Sequence, residues 1–341
     1  MHESIIILGG GYGGVMAAAR LARRGTPVTL VDARPAFVER IRLHQVAAGD
    51  DVAPVPYARM FRNLPVAFVQ ARVERIDRVN KRVITSEGEL RYDKLVYALG
   101  SEETGLNPIA IRERLKTAKN MIVVGGGLTG IETASEVAER HPHVQVTLVD
   151  SGTLGKGLSP RAQRHLRTWF DAHNVTVIEN HRIAQDAHLA ADIVVWCTSF
   201  TLSPIARDAG LHVNARGQIV VDDRLRSSDP SIFAVGDAAA CRDYRMSCAL
   251  ALPMGAHVAD TIAGIAREPF RFGFAIQCIS LGRHDGIIQL VNADDSPKEM
   301  AITGRPGAWI KELVCRYAAG SLKLEARGFR YHWPQPEQEA A

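Results

Sequence analysis

The sequence predicts an α/β protein built around two units that share one pattern. The first unit spans residues 4–32 and the second residues 121–150. In each, a run of β-branched residues leads through a glycine-rich turn into a helix, and a second strand then ends on an aspartate. Continuous β-branched runs are typical of strands buried on both faces of a parallel sheet. The repeated pattern therefore favours two parallel sheets over an all-helical or all-β fold.

The first unit carries a G-x-G-x-x-G turn, Gly9-Gly-Gly-Tyr-Gly-Gly14, and its second strand ends on Asp32. In such a turn the first glycine makes the bend, the second admits a pyrophosphate, and the third allows close helix packing. The helix N-terminus supplies free N–H groups for phosphate, and the carboxylate can bind ribose hydroxyls. The sequence predicts a dinucleotide site here. Its glycine positions are Gly9, Gly11 and Gly14.

The second unit repeats this arrangement with Gly125-Gly-Gly-Leu-Thr-Gly130 and Asp150. Its position between a strand and a helix again predicts nucleotide binding. A carboxylate at position 150 repels a 2′-phosphate, and no arginine follows it at 151–154. We therefore expect NADH to be preferred over NADPH. The corresponding glycine positions are Gly125, Gly127 and Gly130.

Composition excludes several classes of protein. Of the 341 residues, 46% are hydrophobic and 23% charged, and the mean hydropathy of −0.05 argues against an integral membrane protein and against a disordered chain. The 41 basic and 37 acidic residues leave a net charge of only +4. Because no long Lys/Arg run concentrates this charge, we expect no nucleic-acid partner.

Cysteine usage and the N-terminal sequence favour a reducing, cytoplasmic location. The five cysteines are an odd number and show no C-x-x-C spacing, so we predict neither a disulfide framework nor a metal site. The apolar run near the N-terminus is too short for a signal peptide or a membrane span. The cysteines are Cys197, Cys241, Cys248, Cys278 and Cys315.

Other segments predict further strands and two helices. A helix is expected from about Pro253 to about residue 266, because proline is tolerated in a first helical turn. A short amphipathic helix is expected at 308–317. The predicted strands are 67–74, 82–85, 94–98, 175–178, 193–196, 219–221, 274–281 and 287–291.

Four segments together resemble flavoproteins of the pyridine-nucleotide oxidoreductase family, which have two dinucleotide-binding domains. Besides the two glycine units, Tyr92-Asp-Lys-Leu-Val-Tyr-Ala-Leu-Gly100 is similar to the family's Y-D-x-L-V-x-A-x-G, and Ile232-Phe-Ala-Val-Gly-Asp237 to its I-[FY]-A-x-G-D. The resemblance implies that the first unit binds FAD and the second NAD(P)H. It also implies that Asp237 binds the ribityl chain and that the backbone of Val73 contacts the adenine.

The resemblance divides the chain into an FAD domain at 1–106 and 225–267, an NAD domain inserted at 107–224, and a C-terminal interface segment at 268–341. The helix expected near Pro253 would direct its N-terminal N–H groups, from Met254 or Gly255, at the flavin. The residues assigned to FAD are Gly9, Gly11, Gly13, Gly14, Asp32, Arg42, Val73, Ala98, Gly100, Gly236, Asp237, Met254 and Gly255, and those assigned to NAD(P)H are Gly125, Gly127, Gly130 and Asp150.

Within this family the chain is most similar to type II NADH dehydrogenases and apoptosis-inducing-factor-like reductases. It lacks the C-x4-C and C-x-x-C pairs of the disulfide reductases, and residues 43–49 read L-H-Q-V-A-A-G, similar to that group's L-x-Q-V-A-x-G. The similarity implies that Glu132, after Gly130, faces the contact between nicotinamide and flavin as the catalytic residue. It places Arg42 and His44 near the flavin, with a surface position as the alternative.

The sequence departs from the pattern of these dehydrogenases at two places that bear on the substrates. Pro253 and Met254 stand where the dehydrogenases have the paired glutamines of their quinone site. In the loop that follows Trp196, Ser199 replaces a glycine on the nicotinamide side. A quinone-like or other small-molecule acceptor is therefore expected without being identified. The alternatives are a soluble tailoring flavin oxidoreductase acting on a small organic substrate and a redox-state-sensing NADH-binding flavoprotein, which would turn over slowly.

An apolar stripe marks the predicted C-terminal helix. The dehydrogenases place amphipathic helices in this region against the bilayer surface. Because this stripe covers barely three turns, we expect it to dock on the protein's own core or on a second copy in a homodimer. Weak peripheral contact with the inner face of the membrane is the alternative. The stripe consists of Trp309, Ile310, Leu313, Val314 and Tyr317.

Overall fold

A computed structural model describes residues 3–103, 107–198, 200–333 and 335. Strands and helices alternate through most of this part of the chain. The strands are β1 Ile5–Leu8, β2 Val28–Asp32, β3 Ala36–Phe37, β4 Val55–Pro56, β5 Val66–Gln70, β6 Val73–Asp77, β7 Arg82–Thr85, β8 Gly88–Arg91, β9 Lys94–Tyr97, β10 Ser101–Glu103, β11 Asn120–Val124, β12 Gln145–Val149, β13 Thr176–Ile178, β14 Ile193–Trp196, β15 Phe200–Leu202, β16 Ile219–Val220, β17 Ile232–Ala234, β18 Ala239–Ala240, β19 Ile276–Leu281, β20 Asp285–Val291 and β21 Pro297–Thr303.

The α-helices vary from single turns to a long C-terminal helix. Short 3-10 turns at Arg40–Arg42 and Gly236–Ala238 lie between the larger elements. The helices are α1 Tyr12–Arg23, α2 Leu43–Ala48, α3 Tyr57–Met60, α4 Pro108–Leu115, α5 Leu128–Arg140, α6 Pro160–Ala172, α7 Ile205–Asp208, α8 Cys248–Ile262 and α9 Arg305–Ala326.

The two predicted units form two separate parallel sheets. The first sheet has the order β17-β9-β1-β2-β5 and the second the order β13-β12-β11-β14. In each, the strand that precedes the glycine turn lies in the interior, as β1 does between β2 and β9 and β11 does between β12 and β14. Both glycine turns therefore lie at the carboxyl edge of a parallel sheet, where such folds bind nucleotides.

Smaller antiparallel sheets complete the architecture. β6, β7 and β8 form one three-stranded sheet, and β19, β20 and β21 form another. The second of these packs against α5 and α9. The C-terminal segment thus contacts the second unit through α5.

A buried arginine ties the last helix to the first. Arg20 of α1 is fully buried, and its guanidinium lies 3.1 Å from Asp260 of α8 and 2.9 Å from Glu325 of α9. It also donates a hydrogen bond to the carbonyl of Tyr331 at 2.6 Å. A buried charge needs such partners, because an unpaired one costs several kcal/mol, of the order of 3–5.

Three sequence-based boundaries are wrong. The segment predicted as one strand at 67–74 is divided between β5 and β6, and the helix predicted at 308–317 is the 22-residue α9. The helix expected to start near Pro253 starts at Cys248, where the Ser247 hydroxyl accepts a hydrogen bond from the N–H of Leu250. Serine is a favoured N-cap, and Pro253 lies inside the helix. The proposed domain boundaries stay predictions.

Candidate active site

The first glycine turn has the geometry of a pyrophosphate cradle. Gly9 has a φ of +97°, and a Cβ on Gly14 would lie 1.9 Å from the Gly9 carbonyl oxygen, so a side chain is excluded at position 14. A Cβ on Gly11 would meet nothing within 4 Å, which leaves room for a ligand. The N–H of Gly10 donates a hydrogen bond to Oδ2 of Asp32 at 2.7 Å.

The second turn repeats this geometry closely. Gly125 has a φ of +109°, and a Cβ on Gly130 would lie 1.8 Å from the Gly125 carbonyl oxygen. Again, a Cβ on Gly127 would meet nothing within 4 Å. Oδ2 of Asp150 accepts a hydrogen bond from the N–H of Gly126 at 2.6 Å. Both turns therefore present an open backbone edge beside a carboxylate, which fits a dinucleotide.

Asp237 lies beside the segment that follows β9. Its Oδ2 accepts a hydrogen bond from the Ser101 hydroxyl at 2.6 Å, and Gly236 before it has a φ of +68°. The backbone of Ala98 donates to the Leu8 carbonyl at 2.8 Å, which fixes this segment against β1. The two sequence segments that carry the family resemblance at 92–100 and 232–237 thus meet in space.

Glu132 and Lys311 form a buried ion pair. The Nζ of Lys311 lies 2.7 Å from Oε1 of Glu132, and the Ser280 N–H donates to the same oxygen at 3.0 Å. Burial acts to raise the pKa of Glu132, but Lys311, His44 and the Ser280 N–H together lower it. Glu132 is therefore an anion held in the protein interior.

His44 lies between Glu132 and a second buried glutamate, Glu136. Its Nδ1 is 3.5 Å from Oε2 of Glu132, and its Nε2 is 3.8 Å from Oε1 of Glu136. Burial lowers the pKa of His44 to about 4 and raises the pKa of Glu136 to about 7. Near neutral pH, His44 is consequently uncharged and Glu136 is poised between its two protonation states.

The start of α8 connects the buried ion pair with Asp237. Burial raises the pKa of the Cys248 thiol to about 12, and Lys311 and Asp237 are both among the charges that act on it. Cys248 is the first residue of α8. The charges of Lys311 and Asp237 therefore both act on the thiol at the start of α8.

The comparisons with known proteins agree with this geometry. Residues 3–261 match the family described as pyridine nucleotide-disulphide oxidoreductase. The chain belongs to this family. It is accordingly a pyridine-nucleotide-dependent flavoprotein oxidoreductase, and its predicted cofactors FAD and NAD(P)H are those of the family. The predicted class of enzyme is confirmed.

The chain is similar in sequence, over most of its length, to proteins with two different names. The chain is 25% identical to ferroptosis suppressor protein 1 of Xenopus tropicalis over 328 residues, covering 84% of this chain and 88% of that protein. It is also 25% identical to the type II NADH:quinone oxidoreductase of Staphylococcus haemolyticus over 387 residues, covering 92% and 94%.

Solved structures share the fold at lower identity. NDH2 from Plasmodium falciparum in complex with NADH has a TM-score of 0.78 and 14% identity, covering 96% of this chain and 99% of that one. The sulfide:quinone oxidoreductase of Aquifex aeolicus has a TM-score of 0.78 and 19% identity, covering 95% and 92%. The likeness confirms the predicted α/β fold of a two-domain flavoprotein.

Met254 and Gly255 lie in the interior of α8, where the structure departs from the predicted helix start. Both are buried, and a Cβ on Gly255 would lie 2.2 Å from the carbonyl oxygen of Gly13. The absence of side chains at 13 and 255 thus allows α1 and α8 to pack closely. The expectation that Met254 or Gly255 supplies N–H groups from the first helical turn is wrong, because that turn begins at Cys248.

Arg42 is bound to the C-terminal helix. Its two Nη atoms lie 2.8 and 2.9 Å from the carboxylate of Glu312, and its Nε lies 3.1 Å from Glu39. The surface alternative for Arg42 and His44 is wrong, because both side chains are buried. Contact of Arg42 with the flavin stays a prediction. So does the adenine contact of Val73, which begins β6 and is 8% exposed.

Sequence reasoning missed the partners of Glu132. The sequence marks Lys311 only as a charge on the C-terminal helix. Ser280, Glu136 and Arg283 belong to no recognisable sequence motif. Lys311, Ser280 and Arg283 come from segments far from Glu132 in sequence, and Glu136 lies about one turn after it on the same helix. Ser199, which replaces a glycine of the predicted nicotinamide loop, lies outside the described residues.

The apolar stripe of α9 divides between two environments. Trp309, Leu313 and Tyr317 are 66%, 43% and 59% exposed, so the expectation that the stripe docks on the protein's own core is wrong for these three. Ile310 and Val314 are half-buried.

Within the described ranges, no helix combines the length and apolar character needed to cross a membrane. In the same ranges, no cluster of three or more His, Cys, Asp or Glu side chains is suited to a metal ion.

Proposed function

We propose that this protein is an FAD-dependent NADH dehydrogenase that passes electrons to a quinone-like small molecule. The observation that carries the proposal is the buried Glu132–Lys311 pair, on the helix that follows the second of two glycine turns with open backbone edges. None of the five cysteines forms a disulfide within the described part of the chain, and none has the spacing of a redox pair. A direct transfer without a thiol relay follows from this arrangement.

The names of two relatives support a quinone as acceptor. One is the type II NADH:quinone oxidoreductase already described. The other is the demethylphylloquinone reductase NdbB of Synechocystis, 28% identical over 293 residues and covering 70% of this chain and 72% of that protein. Quinone reduction is the activity that these names share.

The residues of the chain bind and orient, while the cofactor supplies the redox chemistry. When bound, FAD supplies hydride acceptance from NAD(P)H and electron transfer to a second acceptor. The first glycine turn and Asp237 hold the FAD phosphates and ribityl chain, and the second turn holds the nicotinamide nucleotide. Glu132, kept anionic by Lys311, provides a fixed negative charge at the place where the two cofactors meet.

Asp150 supports NADH as the preferred donor. Its two carboxylate oxygens accept hydrogen bonds from the N–H groups of Gly126 and Gly152, each at 2.6 Å. These contacts fix a negative charge at the end of β12, next to the expected ribose. A 2′-phosphate would bring two further negative charges toward it, which disfavours NADPH.

A soluble tailoring oxidoreductase is the second candidate. Pro253 and Met254 are buried at the positions where the dehydrogenases have glutamines, and Met254 is 0% exposed. Neither side chain can hydrogen-bond a quinone carbonyl as glutamine does. A small organic substrate that needs no such donor would fit this site.

The test is stopped-flow reduction of the holoenzyme by NADH and by NADPH, followed by reoxidation with quinones, dyes and oxygen. We expect faster reduction by NADH and rapid reoxidation by quinones. Rapid reoxidation only by another organic compound would support the tailoring enzyme. Reduced enzyme that persists with every acceptor would support the redox sensor instead.

A further inference from the structure

We propose that the protein binds a small phosphate monoester in a cavity between β15, α7 and the turn at 214–217, and that this ligand slows the release of FAD. The cavity contains no residue of either glycine turn. The inference concerns a second ligand and its effect on the cofactor. It goes beyond the proposed function, because it does not depend on the electron acceptor.

The size of the cavity limits what it can hold. Its volume is about 260 Å³, whereas pockets for drug-sized ligands usually occupy ~300–1,000 Å³. β15 supplies Phe200 and Thr201, α7 supplies Arg207, and the turn supplies Arg216 and Gly217. The cavity is therefore too small for a dinucleotide such as NADH and suits one charged group with a small substituent.

Two arginines give the cavity a positive charge. The side chains of Arg207 and Arg216 form no hydrogen bond or ion pair with the residues that the structure describes, and no described aspartate or glutamate lines the cavity. Like charges on one cavity repel each other, and a dianion bound between them removes this repulsion. Guanidinium groups also bind phosphate through paired N–H donors. The cavity therefore favours a phosphate over a cation or a neutral ligand.

The turn that carries Arg216 is held by its own hydrogen bonds. The Asn214 carbonyl accepts a hydrogen bond from the Gly217 N–H at 2.9 Å, and the Asn214 side chain accepts one from the Arg216 N–H at 3.0 Å. A Cβ on Gly217 would lie 3.8 Å from Nη2 of Arg207 and 3.7 Å from Cβ of Leu202, so glycine at this position leaves space inside the cavity. A preformed site of this kind loses less conformational entropy when it binds a ligand.

Phe200 and Thr201 supply the remaining contacts. Phe200 is 45% exposed, so a flat apolar group that packed on its ring would remove apolar surface from water, which is favourable. Thr201 is also exposed, and its hydroxyl can donate a hydrogen bond to a phosphate oxygen. A phosphate monoester that carries a flat ring therefore fits the cavity better than inorganic phosphate does.

Both walls of the cavity are connected to Asp237. Leu202 of β15 pairs with Ser101 of β10, and the Ser101 hydroxyl donates to Oδ2 of Asp237 at 2.6 Å. Gln218 follows Gly217, and its Nε2 donates to the Asp237 carbonyl at 3.0 Å. A ligand that holds β15 and the turn together restricts the motion of both contacts. Because Asp237 is predicted to bind the ribityl chain, the ligand should slow FAD release, and by linkage FAD should raise the affinity for the ligand.

The first experiment is isothermal titration calorimetry of the holoenzyme with phenyl phosphate at constant ionic strength. The holoenzyme is saturated with NAD⁺, so that neither glycine turn is free to bind the phosphate. Wild-type protein should bind phenyl phosphate more tightly than inorganic phosphate or the monoanion benzoate. Phe200→Ala should reduce the affinity for phenyl phosphate to that for inorganic phosphate. A wild-type protein that binds no phenyl phosphate, or that prefers benzoate, overturns the site.

The arginine variants show whether this cavity is the place of binding. Arg207→Gln and Arg216→Gln should each weaken phenyl phosphate binding about tenfold, because each removes a charged hydrogen-bond donor. The matched control is Arg62→Gln, which alters an exposed arginine outside the cavity and should bind like the wild type. Wild-type affinity in both cavity variants overturns the site.

The second experiment follows the release of FAD from the holoenzyme by flavin fluorescence, with and without phenyl phosphate. Release from the wild type and from Arg62→Gln should be about fivefold slower with the ligand, whereas release from Arg207→Gln should not change at the same concentration. Phenyl phosphate that binds without slowing FAD release overturns the link to Asp237. Neither experiment uses an electron acceptor, so a failure of the proposed quinone reduction would leave both results unchanged.

Discussion

The two glycine turns share one backbone plan but differ in what encloses them. At the first turn, the Tyr57 hydroxyl donates to the Gly10 carbonyl at 2.8 Å, and Asp32 is only 7% exposed and paired with Arg34 at 3.3 Å. At the second, Asp150 is half-buried. Enclosure slows exchange, so the first turn suits a resident cofactor and the second a nucleotide that enters and leaves in each cycle.

The largest expected effects come from alanine at the third glycine of each turn. In Gly14→Ala and Gly130→Ala the new methyl would overlap a backbone carbonyl, at 1.9 and 1.8 Å, which costs about 1–3 kcal/mol or more. Gly14→Ala should lose FAD, whereas Gly130→Ala should remain yellow but resist reduction by NADH. Flavin absorbance and stopped-flow reduction measure the two effects.

The control for these variants is Gly127→Ala. Its methyl group meets nothing within 4 Å, so the melting temperature should stay at the wild-type value even where NADH binding weakens. If Gly130→Ala lost FAD as fully as Gly14→Ala, the division of roles between the turns would be wrong.

Removal of the Asp237 carboxylate, which is predicted to bind the ribityl chain, should affect the FAD site alone. Asp237→Ala removes a half-buried hydrogen-bond partner worth about 1–3 kcal/mol, so the purified protein should contain less FAD. Ser101→Ala deletes only the hydroxyl that donates to Asp237 and should have a smaller effect. Full flavin occupancy in Asp237→Ala would contradict the assignment.

A charge reversal at the second turn should change the choice of nucleotide. Asp150→Arg removes a repulsive carboxylate and adds a partner for the 2′-phosphate, so the preference for NADH over NADPH should narrow. FAD content should not change, in contrast to Asp32→Arg at the first turn. The ratio of reduction rates with the two nucleotides is the measurement. Wild-type enzyme that reacts faster with NADPH would disprove the placement of Asp150.

The smallest effect concerns the ion pair between Arg42, in the 3-10 turn before α2, and Glu312 of α9. The hydrogen bond from Arg42 lowers the pKa of Glu312 from 4.5 to about 2. A lowered pKa means that the pair contributes stability above about pH 4.5 and that this contribution is lost as the pH falls toward 2. Glu312→Gln should therefore melt at a lower temperature at pH 7. Melting curves that differ equally at every pH would exclude this origin.

Local pattern explains how much of the fold could be predicted. Each glycine turn, its strands and its aspartate lie within about 30 residues, so spacing alone defines the unit. The start of α8 was mispredicted because Pro253 was taken as a first-turn residue, although Ser247 is a good N-cap signal. The buried side chains around Glu132 could not be predicted in this way. Ser280 and Glu132 are 148 residues apart, and no local pattern relates them.

The buried Arg20 has a consequence for how the chain is made. Synthesis proceeds from the N-terminus, and Arg20 precedes Asp260 by 240 residues and Glu325 by 305. Until those carboxylates leave the ribosome, the first helix carries a cation that its own sheet would have to bury unpaired, at a cost of several kcal/mol, about 3–5. The first unit should thus be protease-sensitive in nascent chains that end before residue 325 and resistant in full-length ones. The first-synthesised helix should therefore reach its native packing only after the last helix has been synthesised.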